Sequence, residues 1–406
     1  MTDRVAWIFL ALCAVGTVAA SLTRNRIPLP ASIVVAAVLR IAFAALTSQA
    51  HTPRDARIYF RTTAEMILQG KDPVHDLPGR QWNFLELMPV VHALELRSGL
   101  PWVYAVKIAP ILADLVLVWL VARFATSDGR TRALQYALNP LSLLVVSLHG
   151  QVEPVALVFA LTGVLLVKKG KPVLGGVFLG AAVATKTWPV VILLAVLPVK
   201  NLPRTGRIVA GSAIVPILCL ALGVIFLDTQ PFTDLGHMAS YSSYIQYWTW
   251  SATLIDLGYK DLSGYGSPLG ALGSVLIVIG VATTLYLLRH RPPEARVLGV
   301  LCAILLCTAG FGTQYLMWVL PLIVGISGPA RSAYVVAAGA WSAIFYLSPF
   351  ANATFNLQYL RGLSWLPAVV LLVVILEQVR LRPLARDPRV DGPPEAARSG
   401  SSAGTS

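Results

Sequence analysis

Long apolar segments that follow one another, with short charged turns between them, constrain this chain more than any other feature. A helix that crosses a bilayer needs roughly 17 to 25 mostly apolar residues, because backbone polar groups in lipid must pair within the element and each helical residue rises about 1.5 Å. Thirteen segments of the 406-residue sequence read as candidates, at about 5–22, 29–50, 103–123, 133–149, 154–168, 172–186, 188–199, 207–227, 268–288, 297–313, 315–327, 332–349 and 364–380. Several are short, and the pair 172–186 and 188–199, divided by "TKTWP", reads either as two short spans or as one span and a partly inserted segment. The expected count is therefore about 11 to 13. Composition agrees, with 56% hydrophobic and 13% charged residues, where soluble chains carry about 25% charged. The fold class expected is all-α, a polytopic membrane protein.

The turns also predict an orientation. Twenty Lys and Arg residues fall on one set of alternate connections, which includes "KKGK" (168–171), "RHRPPEAR" (289–296) and the tail from Arg380, and nine fall on the other. The first set holds five acidic residues and the second holds twelve. Basic loops stay in the cytoplasm, so the second set, with its long connections 51–102 and 228–267, is expected outside. A net charge of +13 could signal nucleic acid, but the excess lies in short cytoplasmic turns, where it sets topology and meets anionic lipid. No nucleic-acid partner is expected. The four cysteines, Cys13, Cys219, Cys302 and Cys307, all fall inside apolar segments, so they read as small hydrophobes rather than a disulfide or metal framework. Residues 1–380 read as one membrane domain, and 381–406, rich in Pro, Gly, Ala and Ser, as a disordered cytoplasmic tail.

The first long connection has internal order. Between Asp55 and Gly70 the apolar residues Ile58, Tyr59, Met66, Ile67 and Leu68 alternate with Arg57, Arg61 and Glu65, a pattern that suits a helix lying in the interface. After "GKDP" (70–73), "WNFLELMPVVHALEL" (82–96) makes a second amphipathic piece. Asp55 alone reads as a surface acid or helix N-cap. "HGQVEP" puts His149, Gln151 and Glu153 at the external end of a segment, where ionisable groups are costly unless they pair or serve a pathway. Lys186 in "VATKTWP" has no charged neighbour in sequence and reads as a lysine reaching for headgroups or an anion. Gln314 and Tyr315 form a polar pair at the tip between two segments, and Arg361 lies in "LQYLRGLSW". Asp114, deep in a span, must be paired or protonated, with Arg40 or a backbone group the expected partner.

Taken together, these stretches resemble a family. An Asp just beyond an early helix, a tyrosine four residues on and "ILQGKDPV" (67–74) are similar to the first external loop of the GT-C glycosyltransferases. The likeness is closest to bacterial polyprenol-phosphate-mannose-dependent α-mannosyltransferases of the family 87 kind and to the GPI mannosyltransferase. "ADLVLVWLVARF" (113–124), "LNPLSLLVVSLHGQVEPVALVF" (138–159), "GGVFLGAAVATKTWPVVILL" (175–194) and "GFGTQYLMWVLPLI" (310–323) agree in order and in expected side.

The resemblance implies transfer of a hexosyl group, mannose first, from a polyprenyl-phosphate donor to a glycolipid, glycan or protein acceptor at the outer face, with inversion. Under it Asp55 is the catalytic base, Lys186 and Arg361 face the lipid phosphate, and Tyr59, His149, Gln151, Glu153, Gln314 and Tyr315 bind donor or acceptor. The GPI-type enzymes carry an acidic pair with one residue between the two acids, whereas here the stretch reads Asp55-Ala56-Arg57 and a cation stands in the second place. No metal cofactor is therefore expected, and hard-cation dependence should be weak at most. A transporter or flippase of lipid-linked sugars is the competing expectation, although such proteins gather ionisable residues at midplane and keep external loops short.

Overall fold

The computed structural model describes residues 2–23, 25–77, 82–198, 201–239, 250–251, 254, 257–258, 268–310, 312–347 and 365–380. The described residues are all-helical, 81% helix, with no strand among them. α1 (Thr2–Ala19) and α2 (Leu29–His51) open the bundle. α2 stops just before "TP" (52–53), because a proline disfavours helical backbone in the residue ahead of it.

The long connection that follows is a folded layer. A wide helical turn, Asp55–Tyr59, runs into α3 (Phe60–Leu68). Gly70, at φ +70°, turns the chain toward α4 (Pro73–Asp76). α5 (Leu87–Leu96) packs on α3, and α6 (Trp102–Ala105) leads into α7 (Ile108–Phe124). Phe60, Trp82, Met88 and Trp102 bury a small apolar core between these pieces. His92 stacks on Phe60 with ring centroids 5.0 Å apart.

The remaining elements are α8 (Gly129–Ala137), α9 (Pro140–Leu143) with a wide turn through His149, α10 (Glu153–Lys168), α11 (Pro172–Thr185), α12 (Val190–Val196) and α13 (Leu202–Phe226). Beyond them come α14 (Pro231–Ala239), α15 (Pro268–Leu287), α16 (Pro293–Cys307), a tight turn of helix at Thr313–Trp318, α17 (Leu320–Gly325), α18 (Pro329–Leu347) and α19 (Trp365–Arg380).

Five helices among the described residues are long and apolar enough to cross a membrane: Asp3–Thr23, Leu29–His51, Trp102–Phe124, Leu202–Phe226 and Pro268–Leu287. The expected count of 11 to 13 spans is not confirmed by these five helices, and two of the expected segments are broken. The segment expected as one span at 133–149 is cut at Asn139-Pro140, where the Asn139 side chain accepts the Leu141 N–H at 2.9 Å and starts a new helix. At 172–199 the chain goes extended at Lys186 and restarts after Pro189. Proline removes a helical donor, and the freed backbone is tolerated in a membrane protein only where it is packed within the molecule.

Close packing holds the middle of the bundle. A Cβ on Gly176 would sit 2.3 Å from the Ile208 carbonyl oxygen, and one on Gly180 2.2 Å from that of Ser212. Glycines four apart on α11 thus let its backbone touch α13, where dispersion supplies attraction that lipid-equivalent hydrophobicity cannot. Nearby the expected pairing of Asp114 is found, with Arg40 Nε 2.6 Å from its Oδ2. The Tyr136 hydroxyl donates to Asp114 Oδ1 at 2.6 Å, and Arg40 donates to Ser142 Oγ at 2.6 Å. Both charged side chains are fully buried, so removing either partner would strand a charge at high cost.

Candidate active site

The end of α2 and the wide turn after α9 bring Asp55 and His149 together across 94 residues of sequence. Asp55 opens the turn that α2 cannot continue through Pro53, and its carboxylate Oδ1 accepts the Ala56 N–H at 2.9 Å. On the other side the chain from Pro140 widens over Leu144–His149 and reverses at Gly150, whose φ of +79° is readily adopted only by glycine. That reversal sets Gln151 beside His149, with the two Nε2 atoms 2.8 Å apart.

Both side chains address the carboxylate. His149 Nε2 lies 2.8 Å from Asp55 Oδ1 and 2.9 Å from Oδ2. Gln151 Nε2 donates to Oδ2 at 2.5 Å. The Tyr346 hydroxyl on α18 meets His149 Nδ1 at 2.6 Å. The network is satisfied when His149 Nε2–H donates to Asp55 and Nδ1 shares a proton with the Tyr346 hydroxyl, an assignment that comes from the hydrogen bonds themselves. His149 is 6% exposed and Asp55 33%, so the imidazole is a buried prop and the carboxylate has an open side. Burial alone would raise the Asp55 pKa. His149 by charge and hydrogen bond, the Ala56 N–H and the charge of Lys186 outweigh that and hold the carboxyl below its ordinary value of 3.8.

Lys186 occupies the break between α11 and α12. Sequence reading left it without a charged neighbour, and the structure corrects this: its Nζ is 2.5 Å from Glu153 Oε1 at the start of α10. Glu153 is fully buried and its Oε2 has no hydrogen-bond partner. The ammonium also lies 5.3 Å from the Phe84 ring and 5.8 Å from the Tyr315 ring, and both faces attract a cation. A cavity of about 210 Å³ opens beside it, lined among others by Thr187, Trp188, Ile304 and Trp318. Trp188 and Trp318 stack at 4.3 Å, and Tyr315 packs on Trp318 at 4.4 Å. A fixed cation at the mouth of an aromatic cavity, next to an ionised carboxylate held by an imidazole, can bind an anionic head on an apolar tail and accept a proton beside it.

The family model for glycosyltransferase family 87 matches residues 84–309. The chain belongs to glycosyltransferase family 87. A search of curated proteins finds no match. The part of this family 87 enzyme that carries the match contains His149, Gln151, Glu153 and Lys186, while Asp55, Gln314 and Tyr315 lie outside it. Nothing in the family match or the helices supports the transporter expectation.

The other expected site residues are dispersed. Gln314 lies next to Tyr315 but its amide packs over Gly312, where a Cβ would come within 2.6 Å of it. The ring of Tyr59 carries the Arg54 guanidinium at 5.8 Å. Arg361 lies outside the described residues. Arg57 donates to the Gln49 carbonyl at 3.2 Å and so braces the end of α2.

Two features of this glycosyltransferase escaped the sequence. Tyr346, in an ordinary apolar run, carried no signal of its contact with His149. Asp72, Glu86 and Asp234 converge, each offering an oxygen within 4.8 Å of the others. Burial, with the neighbouring carboxylates adding to it, pushes Glu86 and Asp234 up to about 7. Asp72 and Glu86 are 14 residues apart and Asp234 lies 148 residues further on, so spacing could not reveal the group.

Proposed function

We propose that this glycosyltransferase transfers a hexosyl residue, mannose first among the candidates, from a polyprenyl-phosphate donor to a glycolipid, glycan or protein hydroxyl at the extracytoplasmic face, with inversion. The observation that carries the reading is the Asp55 carboxylate, oriented by His149 and Gln151 and open on one side, with the Lys186 ammonium close enough to lower its pKa.

In this mechanism the acceptor hydroxyl approaches the open side of Asp55. Its oxygen bonds to the anomeric carbon as the bond from that carbon to the phosphate oxygen breaks, and the hydroxyl proton passes to Asp55. A positioned base of this kind contributes about 10²–10⁴ in rate. His149 holds the carboxylate in place and, through Nε2–H, favours its ionised form. The polyprenyl phosphate leaves as an anion, and Lys186 stabilises that charge in a water-poor site where it counts for most. Glu153 keeps Lys186 aimed. Tyr315, Trp188 and Trp318 offer faces to the sugar or the first isoprene units, and Arg361 is a further candidate for the phosphate.

The immediate neighbours of Asp55 are an imidazole and an amide rather than a second carboxylate, which supports transfer without a metal ion on the reacting atoms. The positive-inside pattern of the turns supports an external site, a multi-pass place in the cell membrane and a cytoplasmic tail. Incubating the purified enzyme in lipid extract with labelled polyprenyl-phosphate mannose, and separately with the arabinose donor, tests the reading. Label should pass from the mannosyl donor to a lipid, glycan or protein product of inverted configuration. No transfer from either donor would refute the donor class.

A further inference from the structure

Asp72, Glu86 and Asp234 come from three places. Asp72 precedes α4, Glu86 precedes α5, and Asp234 lies on α14, 162 residues from Asp72. Their relative exposures are 1%, 3% and 0%. Asp72 Oδ1 accepts the Val74 N–H at 2.8 Å, but its Oδ2, both oxygens of Glu86 and both of Asp234 are buried without a well-formed hydrogen bond. Among the described residues no Lys or Arg forms an ion pair with any of the three.

Acidic groups gathered at a surface would call for no explanation, since water would solvate them. Here five of six oxygens lie out of water without a well-formed hydrogen bond, and they face one another. Burying an ionised carboxylate unpaired costs many kcal/mol, and a like charge within a few ångströms adds to it. Something positive must compensate. A spread of 4.8 Å fits oxygens arranged about a single centre, because calcium binds oxygen at roughly 2.3–2.6 Å and ligands on opposite sides then lie about 5 Å apart. All the donors are hard carboxylate oxygens, with no thiolate or thioether among them, which selects calcium, magnesium or manganese over softer metals.

We propose that Asp72, Glu86 and Asp234 form a divalent hard-cation site that ties the first long connection to the second. The site is structural, and it does not rest on the reading of Asp55. Its consequence reaches the cavity nonetheless. Glu86 stands two residues after Phe84, whose ring covers the Lys186 ammonium, so a cation held at Glu86 fixes the segment that lays Phe84 there. Shared protons are the competing occupant, since protonated carboxyls could donate to one another.

The test uses the full chain purified in detergent. The protein is stripped with chelator and re-equilibrated with calcium, magnesium or manganese at about 1 mM, the range in which extracellular calcium modules bind. Retained metal and thermal unfolding are then measured. One cation per chain should be retained, and Tm should rise by several degrees over the chelated sample. Glu86→Gln and Asp234→Asn should each lose the retained cation and the rise in Tm, while Asp76→Asn, exposed in the same segment, should keep both. Parent protein that retains no cation and melts at one temperature in chelator and in each metal would overturn the proposal in favour of shared protons. Retention and full Tm response in both Glu86→Gln and Asp234→Asn would place the cation elsewhere and overturn it equally. If either variant fails to fold, the parent measurements still decide, and Asp72→Asn repeats the comparison.

Discussion

Replacing Asp55 by Asn separates its chemical role from its structural one, because the two differ in size. In the parent the carboxylate accepts from the Ala56 N–H, His149 Nε2 and Gln151 Nε2. In the variant the amide oxygen keeps the first two partners, while the new NH₂ meets the Gln151 amide. Gln151 can answer by turning over, since its Oε1 has no hydrogen-bond partner. One altered hydrogen bond at a site one-third exposed costs about 1 kcal/mol. Loss of a general base costs about 10²–10⁴ in rate, roughly 2.7–5.4 kcal/mol at 1.36 kcal/mol for each factor of ten. We therefore expect Asp55→Asn to unfold within a few degrees of the parent, to bind the polyprenyl-phosphate donor with unchanged Kd, and to lose at least a hundredfold in single-turnover transfer of labelled sugar. Donor affinity is spared because the carboxylate addresses the acceptor hydroxyl. Turnover within tenfold of the parent in a well-folded Asp55→Asn protein would refute the assignment of the base.

Lys186→Gln should weaken donor binding and slow transfer together, at least tenfold in kcat/KM, and retained kcat/KM would remove Lys186 from the phosphate site. The pH dependence follows from Asp55 being held below 3.8: the ionised form persists above that value and is lost only as pH falls through the folded pKa, as is its contribution to stability. Single-turnover rates should not show an Asp55 titration between pH 5 and pH 7, and a base titrating inside that window, abolished by Asp55→Asn, would contradict the lowered value. For topology, a cysteine introduced at Gly264 in a cysteine-free background should react with an impermeant thiol reagent added outside intact cells and one at Lys169 should not. The reverse labelling would move the proposed site to the cytoplasmic face.

Much of this protein could be read along the chain, because lipid imposes a local rule. Backbone in hydrocarbon must pair within its own element, so apolar length marks α1, α2, α7, α13 and α15 directly. A lone acid such as Asp114 must be paired or protonated, and Arg40 pairs it. Asp55 by itself reads as a surface acid or helix N-cap, and only the resemblance of its loop to a family marks it as a base. Tertiary structure alone decided what surrounds these residues. The break at Asn139-Pro140 lets the chain widen and reverse at Gly150, and that path carries His149 and Gln151 to Asp55. The break at Lys186 drops its ammonium onto Glu153, 33 residues earlier, and Tyr346 reaches His149 from 197 residues away. Asp72, Glu86 and Asp234 meet only because α4 packs on α14 and the chain entering α5 comes to them. Hydrophobic periodicity records which face of an element is buried, but polar contacts between elements are set by the angles at which broken helices pack, and these depend on close approaches such as Gly176 and Gly180 against α13.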